Sequence, residues 1–113
     1  MLNKRYRFHS RGGVKYTYRH GKTIRRPEIS LVFADNPRGF TRFAVVVSNK
    51  VLKPAVGRNR IRRRVDVAVR LDFDKFKKSR DYIFVIYNQN VKDMPFSELQ
   101  KTIRSLMEES MLQ

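Results

Sequence analysis

The chain has 113 residues, 41% of them apolar, no cysteine and 26 lysines and arginines against 10 acids. That length supports one compact domain over residues 1–113 and leaves no room for a second. The missing cysteines exclude disulfides and thiolate zinc sites, and no apolar run approaches the roughly 20 residues of a membrane span. The start, Met1-Leu2-Asn3-Lys4-Arg5-Tyr6-Arg7, carries no apolar segment of a secretory signal, so a cytoplasmic protein with no membrane partner is expected.

The charge is unevenly placed. Residues 1–65 hold 18 basic residues and two acids, Glu28 and Asp35, whereas residues 66–113 hold eight of each and balance. A solvated surface needs no such asymmetry, so the first part of the chain is expected to carry a face for a polyanion.

In chain order, a basic arm over residues 1–13 ends at Gly12-Gly13, and a short helix follows from Val14 to about His20, stopped by Gly21. Val14, Thr17 and Tyr18 share one face of it. Ile29, Leu31 and Phe33 predict a half-buried strand. A turn at Asp35-Asn36-Pro37-Arg38-Gly39 leads to a strand over Arg42–Ser48, apolar on both faces and therefore expected at the sheet centre. A helix runs from Pro54 to about Leu71 with Ile61, Val65, Ala68 and Val69 as its apolar stripe. A charged linker, Asp72 to Ser79, precedes a buried strand over Tyr82–Tyr87. The last helix starts near Pro95 or Ser97, where Ser97 and Gln100 offer a capping box, and Phe96, Leu99, Ile103, Leu106 and Ser110 mark its core face. Helix, strands, helix, strand, helix makes an α+β sandwich.

The richest segment is Lys50–Arg64, with seven basic residues and no acid. At 100° per residue, Ile61 and Val65 point inward while Asn59, Arg63 and Arg70 point away, with Arg60 and Arg62 flanking them. Guanidinium groups fixed on a helix suit bidentate phosphate contacts. Asn59 adds a donor and an acceptor for a base edge, a sugar hydroxyl or a neighbouring arginine. Asp66, four residues from both Arg62 and Arg70, is expected to form exposed ion pairs with them and to repel a phosphate there.

No catalytic constellation is visible. The acids are scattered, His9 and His20 stand alone among basic residues, and Ser10, Ser30 and Ser48 lack a nucleophile-elbow context. Neither catalytic nor metal-ligating residues are expected on this polypeptide. Four functions compete: a subunit of a ribonucleoprotein enzyme, a ribosomal or other structural RNA-binding protein, a DNA-binding protein and a free nuclease. The DNA reading predicts a helix-turn-helix, which is not apparent.

Val47-Ser48-Asn49-Lys50 followed by Ala55-Val56-Gly57-Arg58-Asn59-Arg60-Ile61-Arg62-Arg63 resembles the signature of the bacterial ribonuclease P protein subunit family. Arg19-His20-Gly21-Lys22 and Arg80-Asp81-Tyr82 match it at the first helix and last strand. The resemblance implies a single-domain αβββαβα sandwich with a left-handed strand–helix–strand crossover, against the usual hand. It implies that Lys53, Arg58, Asn59, Arg60, Arg62 and Arg63 face ribonuclease P RNA, one protein to each RNA. It further implies that Val14, Tyr18 and Val32 belong to a cleft for the 5′ leader of precursor tRNA. The RNA would perform the endonucleolytic cleavage and hold most of the magnesium, with none bound tightly by the protein. The chain departs from the family pattern in having Asp66 where a basic residue is usual, Val14 where phenylalanine is frequent, and one residue more between Lys50 and Ala55 than many members.

Overall fold

A computed structural model describes residues 11–37, 39–48, 50–72 and 79–112, apart from the side chains of residues 11–14. The arm before residue 11, most of the linker after Asp72 and the side chain of Val14 lie outside the described residues. The elements are α1 (Arg11–His20), β1 (Lys22–Arg25), β2 (Ile29–Asp35), β3 (Arg42–Val47), α2 (Ala55–Leu71), β4 (Arg80–Ile86) and α3 (Phe96–Met111), with a 3-10 turn at Gln89–Lys92. This is the αβββαβα order.

One four-stranded sheet runs β1-β2-β4-β3. β2 pairs antiparallel with β1 and β4, whereas β3 lies parallel to β4 and reaches it through α2. Strand alternation then divides the sheet's side chains. Ile29, Leu31, Phe33, Phe43, Val47, Tyr82, Phe84 and Ile86 join the core built with α2 and α3. Val32 and Ile83 face the other way, in a separate small cluster with the partly buried Ala44, Val46 and Val85.

The stripe on α2 is buried as its spacing predicts, and so are Leu99, Ile103, Leu106 and Ser110 of α3. Several expectations change. α1 begins at Arg11, three residues early, and passes through Gly12 and Gly13; their poor helix propensity, about 1 kcal/mol each, is outweighed by packing of α1 on β2 and β4. β1 has no clear signal in the sequence because Ile24 is its one buried residue. β2 is buried on both faces for its first five residues, not half-buried, because helices α1 and α3 pack against it as well as its neighbouring strands.

β3 is an edge strand and not the central one. Apolarity on both its faces reflects an incompletely covered sheet face, where Ala44 and Val46 keep partial exposure. Pro54 sits at the N-cap of α2 in extended conformation, one residue outside the helix. Likewise Pro95 caps α3 without a side-chain bond, which places Ser97 inside the first turn and leaves no capping box with Gln100.

Arg64 fastens the two halves of the chain. Its guanidinium donates to the carbonyls of Val91 (2.7 Å) and Lys92 (2.8 Å) and also to that of Met94. These contacts tie α2 to the turn that introduces α3. No helix among the described residues is long and apolar enough to cross a membrane.

Candidate nucleic-acid interface

The basic run folds into the first half of α2 and the loop before it. Lys53, Asn59, Arg60, Arg62 and Arg63 are exposed, and Arg58 is half-buried. Arg58 donates to the Leu52 carbonyl at 3.0 Å and to that of Lys53, so it braces the loop from which Lys53 projects. Arg60 donates through Nε to the Lys92 carbonyl at 3.0 Å and lies 4.0 Å from the Asp93 carboxylate. Both of these partners are exposed, so water screens the ion pair and its contribution is small.

Asn59 organises the outer face. Its Oδ1 accepts from Arg62 Nη1 at 3.0 Å, and its carbonyl accepts from Arg63 Nε at 3.4 Å. Each guanidinium carries five N–H donors, so most remain directed to solvent. The six residues expected to face RNA thus lie together, with Arg62 and Arg63 the most open to a ligand and Arg58 the most committed to the fold. Arg64, adjacent in sequence, belongs to the core side through its carbonyl contacts.

Asp66 departs from expectation. It is buried, with 6% of its surface exposed, and its Oδ1 has no hydrogen-bond partner. Neither Arg62 nor Arg70 forms an ion pair with it. Angular position on a helix does not fix cover: Asn59 and Asp66 lie only about 20° apart, but two turns separate them along the axis, and Asp66 sits next to the buried Val65 and Val69. Buried there, the Asp66 carboxylate does not meet a phosphate on the outer face of α2. An unpaired buried acceptor costs about 1–3 kcal/mol, so Asp66→Ala is expected to raise the unfolding free energy by roughly 1 kcal/mol, measured by urea denaturation. A lower midpoint would show that the carboxylate holds the helix in place.

The second surface lies by α1. Thr17 is fully buried against the sheet, with Tyr18 about 100° to one side of it and half-exposed. Burial, followed by the neighbouring Tyr87 phenol, raises the pKa of Tyr18 and keeps it a neutral donor. Tyr87 directly follows β4 and is 47% exposed. Val32 lies on the second sheet face with Ile83, beside the partly open Ala44, Val46 and Val85. Val32 and Ile83 are themselves buried, so the open apolar surface of this face is that of Ala44, Val46 and Val85, and Tyr18 and Tyr87 add two exposed phenols. Tyr87 closes the continuous apolar run Tyr82–Tyr87 that predicts a buried strand, but the strand ends at Ile86 and leaves its side chain open.

Four acids elsewhere are engaged by arginines. Asp81 accepts from Arg42 through both oxygens (2.9 and 2.8 Å), Asp35 pairs with Arg80 at 3.0 Å, Asp72 with Arg104 at 3.3 Å and Glu109 with Arg26 at 3.0 Å. Among the described residues, no three His, Asp or Glu side chains gather as metal ligands.

Comparison with known proteins agrees with this architecture. The family model described as Ribonuclease P matches residues 2–110. The ribonuclease P protein component of Chloroflexus aurantiacus is 34% identical over 111 residues, covering 98% of this chain and 82% of the relative. That of Clostridioides difficile is 34% identical over 80% of this chain and 78% of its own length. Among solved structures, the Staphylococcus aureus RNase P protein superposes with a TM-score of 0.80 at 21% identity, covering 93% of this chain and 94% of that one. The Thermotoga maritima protein gives 0.82 at 19% identity, covering 91% and 96%. A match across nearly the whole chain, with the same helix and strand order beneath it, leaves one assignment: the chain belongs to the bacterial ribonuclease P protein family.

Proposed function

We propose that this chain is the protein subunit of a cytoplasmic ribonuclease P, one copy to each RNA, and that it assists leader removal without cutting RNA itself. The first half of α2 and the Lys53 loop bind the catalytic RNA through phosphate contacts. The 5′ leader of precursor tRNA lies on the second sheet face, with bases against Tyr18 and Tyr87 and over the partly exposed Ala44, Val46 and Val85, which Val32 backs from within. The observation that carries this reading is the incompletely covered apolar sheet face, where Ala44, Val46 and Val85 keep partial exposure, together with the two exposed phenols of Tyr18 and Tyr87, an arrangement that suits unstacked bases better than a duplex. A structural RNA-binding protein has no equal need for it.

Magnesium, in this reading, is held by the RNA. The support is that Asp72, Asp81 and Glu109 are paired with arginines of the fold and that, among the described residues, no three potential ligands gather for the ion.

Reconstitution with a bacterial ribonuclease P RNA and a precursor tRNA tests the proposal. The protein alone, with magnesium, should leave the precursor intact, and adding it to the RNA should lower the magnesium needed for cleavage. Tyr18→Ala should weaken binding of leader-bearing precursor roughly tenfold, since stacking one base is worth about 1–3 kcal/mol, and should spare mature tRNA. Cleavage by the protein alone, or equal losses for both tRNAs, would overturn it.

A further inference from the structure

α1 has a second aromatic flank. Tyr16 and His20 lie one helical turn apart, on the opposite side of Thr17 from Tyr18. Their rings are 4.5 Å apart at 39°, and both residues are exposed. They border a cleft of about 450 Å³ whose wall includes Lys22, Phe33, Asp35 and Arg80.

The polar groups of this cleft have distinct chemistry. Arg80 is buried and committed to the fold: it donates to Asp35 Oδ1 at 3.0 Å and to the Ser110 carbonyl at 2.8 Å, and it lies 4.9 Å above the Phe33 ring. Asp35 is held by that bond, yet its side chain is 71% exposed, with Oδ2 available as an acceptor. Lys22 is exposed at the start of β1 and offers a charge for phosphate. A ring platform, a fixed carboxylate oxygen and a lysine are complementary to a base face, an exocyclic amino group and a phosphate, respectively.

We infer that this cleft binds a single unpaired ribonucleotide, stacked on Tyr16 and His20, with preference for a base bearing an exocyclic amino group. Uracil has none and offers only carbonyl oxygens and one imino N–H beside the carboxylate. The site is separate from the sheet face beside Tyr18 and Tyr87, so α1 holds RNA on both flanks. The identity of that RNA rests on the ribonuclease P reading; nucleotide binding by the isolated protein does not.

The test is an NMR titration of the protein with AMP, CMP, GMP, UMP and inorganic phosphate. The ring resonances of Tyr16 and His20 should shift and saturate with the first three, and UMP should bind roughly fivefold more weakly. Asp35→Asn should narrow that gap, and Tyr16→Leu should weaken the response of the His20 ring to all four nucleotides. Unmoved rings, or identical shifts with inorganic phosphate, would overturn the site.

Two further arms identify the source of the nucleotide. Loss of affinity by Tyr16→Leu for ribonuclease P RNA alone assigns it to the partner, and loss only with precursor tRNA bound assigns it to the substrate. No loss in either arm would overturn the assignment of the site to ribonuclease P RNA or its substrate, whereas the titration alone decides nucleotide binding.

Discussion

Replacing Arg62 and Arg63 together by alanine should weaken binding to ribonuclease P RNA by an order of magnitude or more, with the fold intact. Both side chains are exposed, and their described bonds run only to Asn59. Phosphate contacts act through release of counterions, so each lost contact should also flatten the log–log salt dependence by roughly 0.7–0.9. Arg64→Met is the internal control. It removes donors to three carbonyls and should cost about 2 kcal/mol of stability with little change in salt slope. An unchanged slope in the double variant would place the RNA elsewhere.

Gly21→Ala should be among the most damaging single substitutions. A Cβ built there stands 2.4 Å from the Thr17 carbonyl oxygen and 2.5 Å from that of Phe33. Both are backbone atoms, so no side chain can swing aside. Relief requires α1 to lift from β2, at about 2–3 kcal/mol by analogy with overpacked cores, or a fall in Tm on the order of 10 °C. Because Gly21 N–H also bonds the Thr17 carbonyl at 2.8 Å, the end of α1 would move with it. Leader affinity should then fall further than affinity for the RNA subunit. A native Tm would show that α1 is not seated by this contact.

Periodicity exposed the parts of this fold that repeat. Ile61, Val65, Ala68 and Val69 share a face at helical spacing, and all four are buried. It could not rank Arg62 against Arg64, since adjacent arginines differ here through carbonyls at residues 91–94, which no local pattern announces. Asp66 illustrates the same limit along the helix axis. For β3, an apolar strand at the edge of a sheet with one open face looks like a central strand from composition alone. The resemblance pointed to Tyr18 and Val32 for a leader cleft, and it gave no role to Tyr87, Tyr16 or His20.

The strand order also bears on how the chain is made. β4 lies between β2 and β3, so neither of those strands can pair with it until residues 80–86 have been synthesised. Asp35 and Arg80 are direct partners in the β2–β4 ladder, 45 positions apart. At about 5–20 residues per second, roughly 2–9 s of translation separate them. Before that interval ends the nascent chain has acquired the whole positive excess, with the β4-side edges of β2 and β3 still unpaired, beside a ribosome that is itself a polyanion. Closure of the sheet during synthesis therefore competes with capture of the basic half by ribosomal RNA, and arrival of β4 is the event that ends the competition.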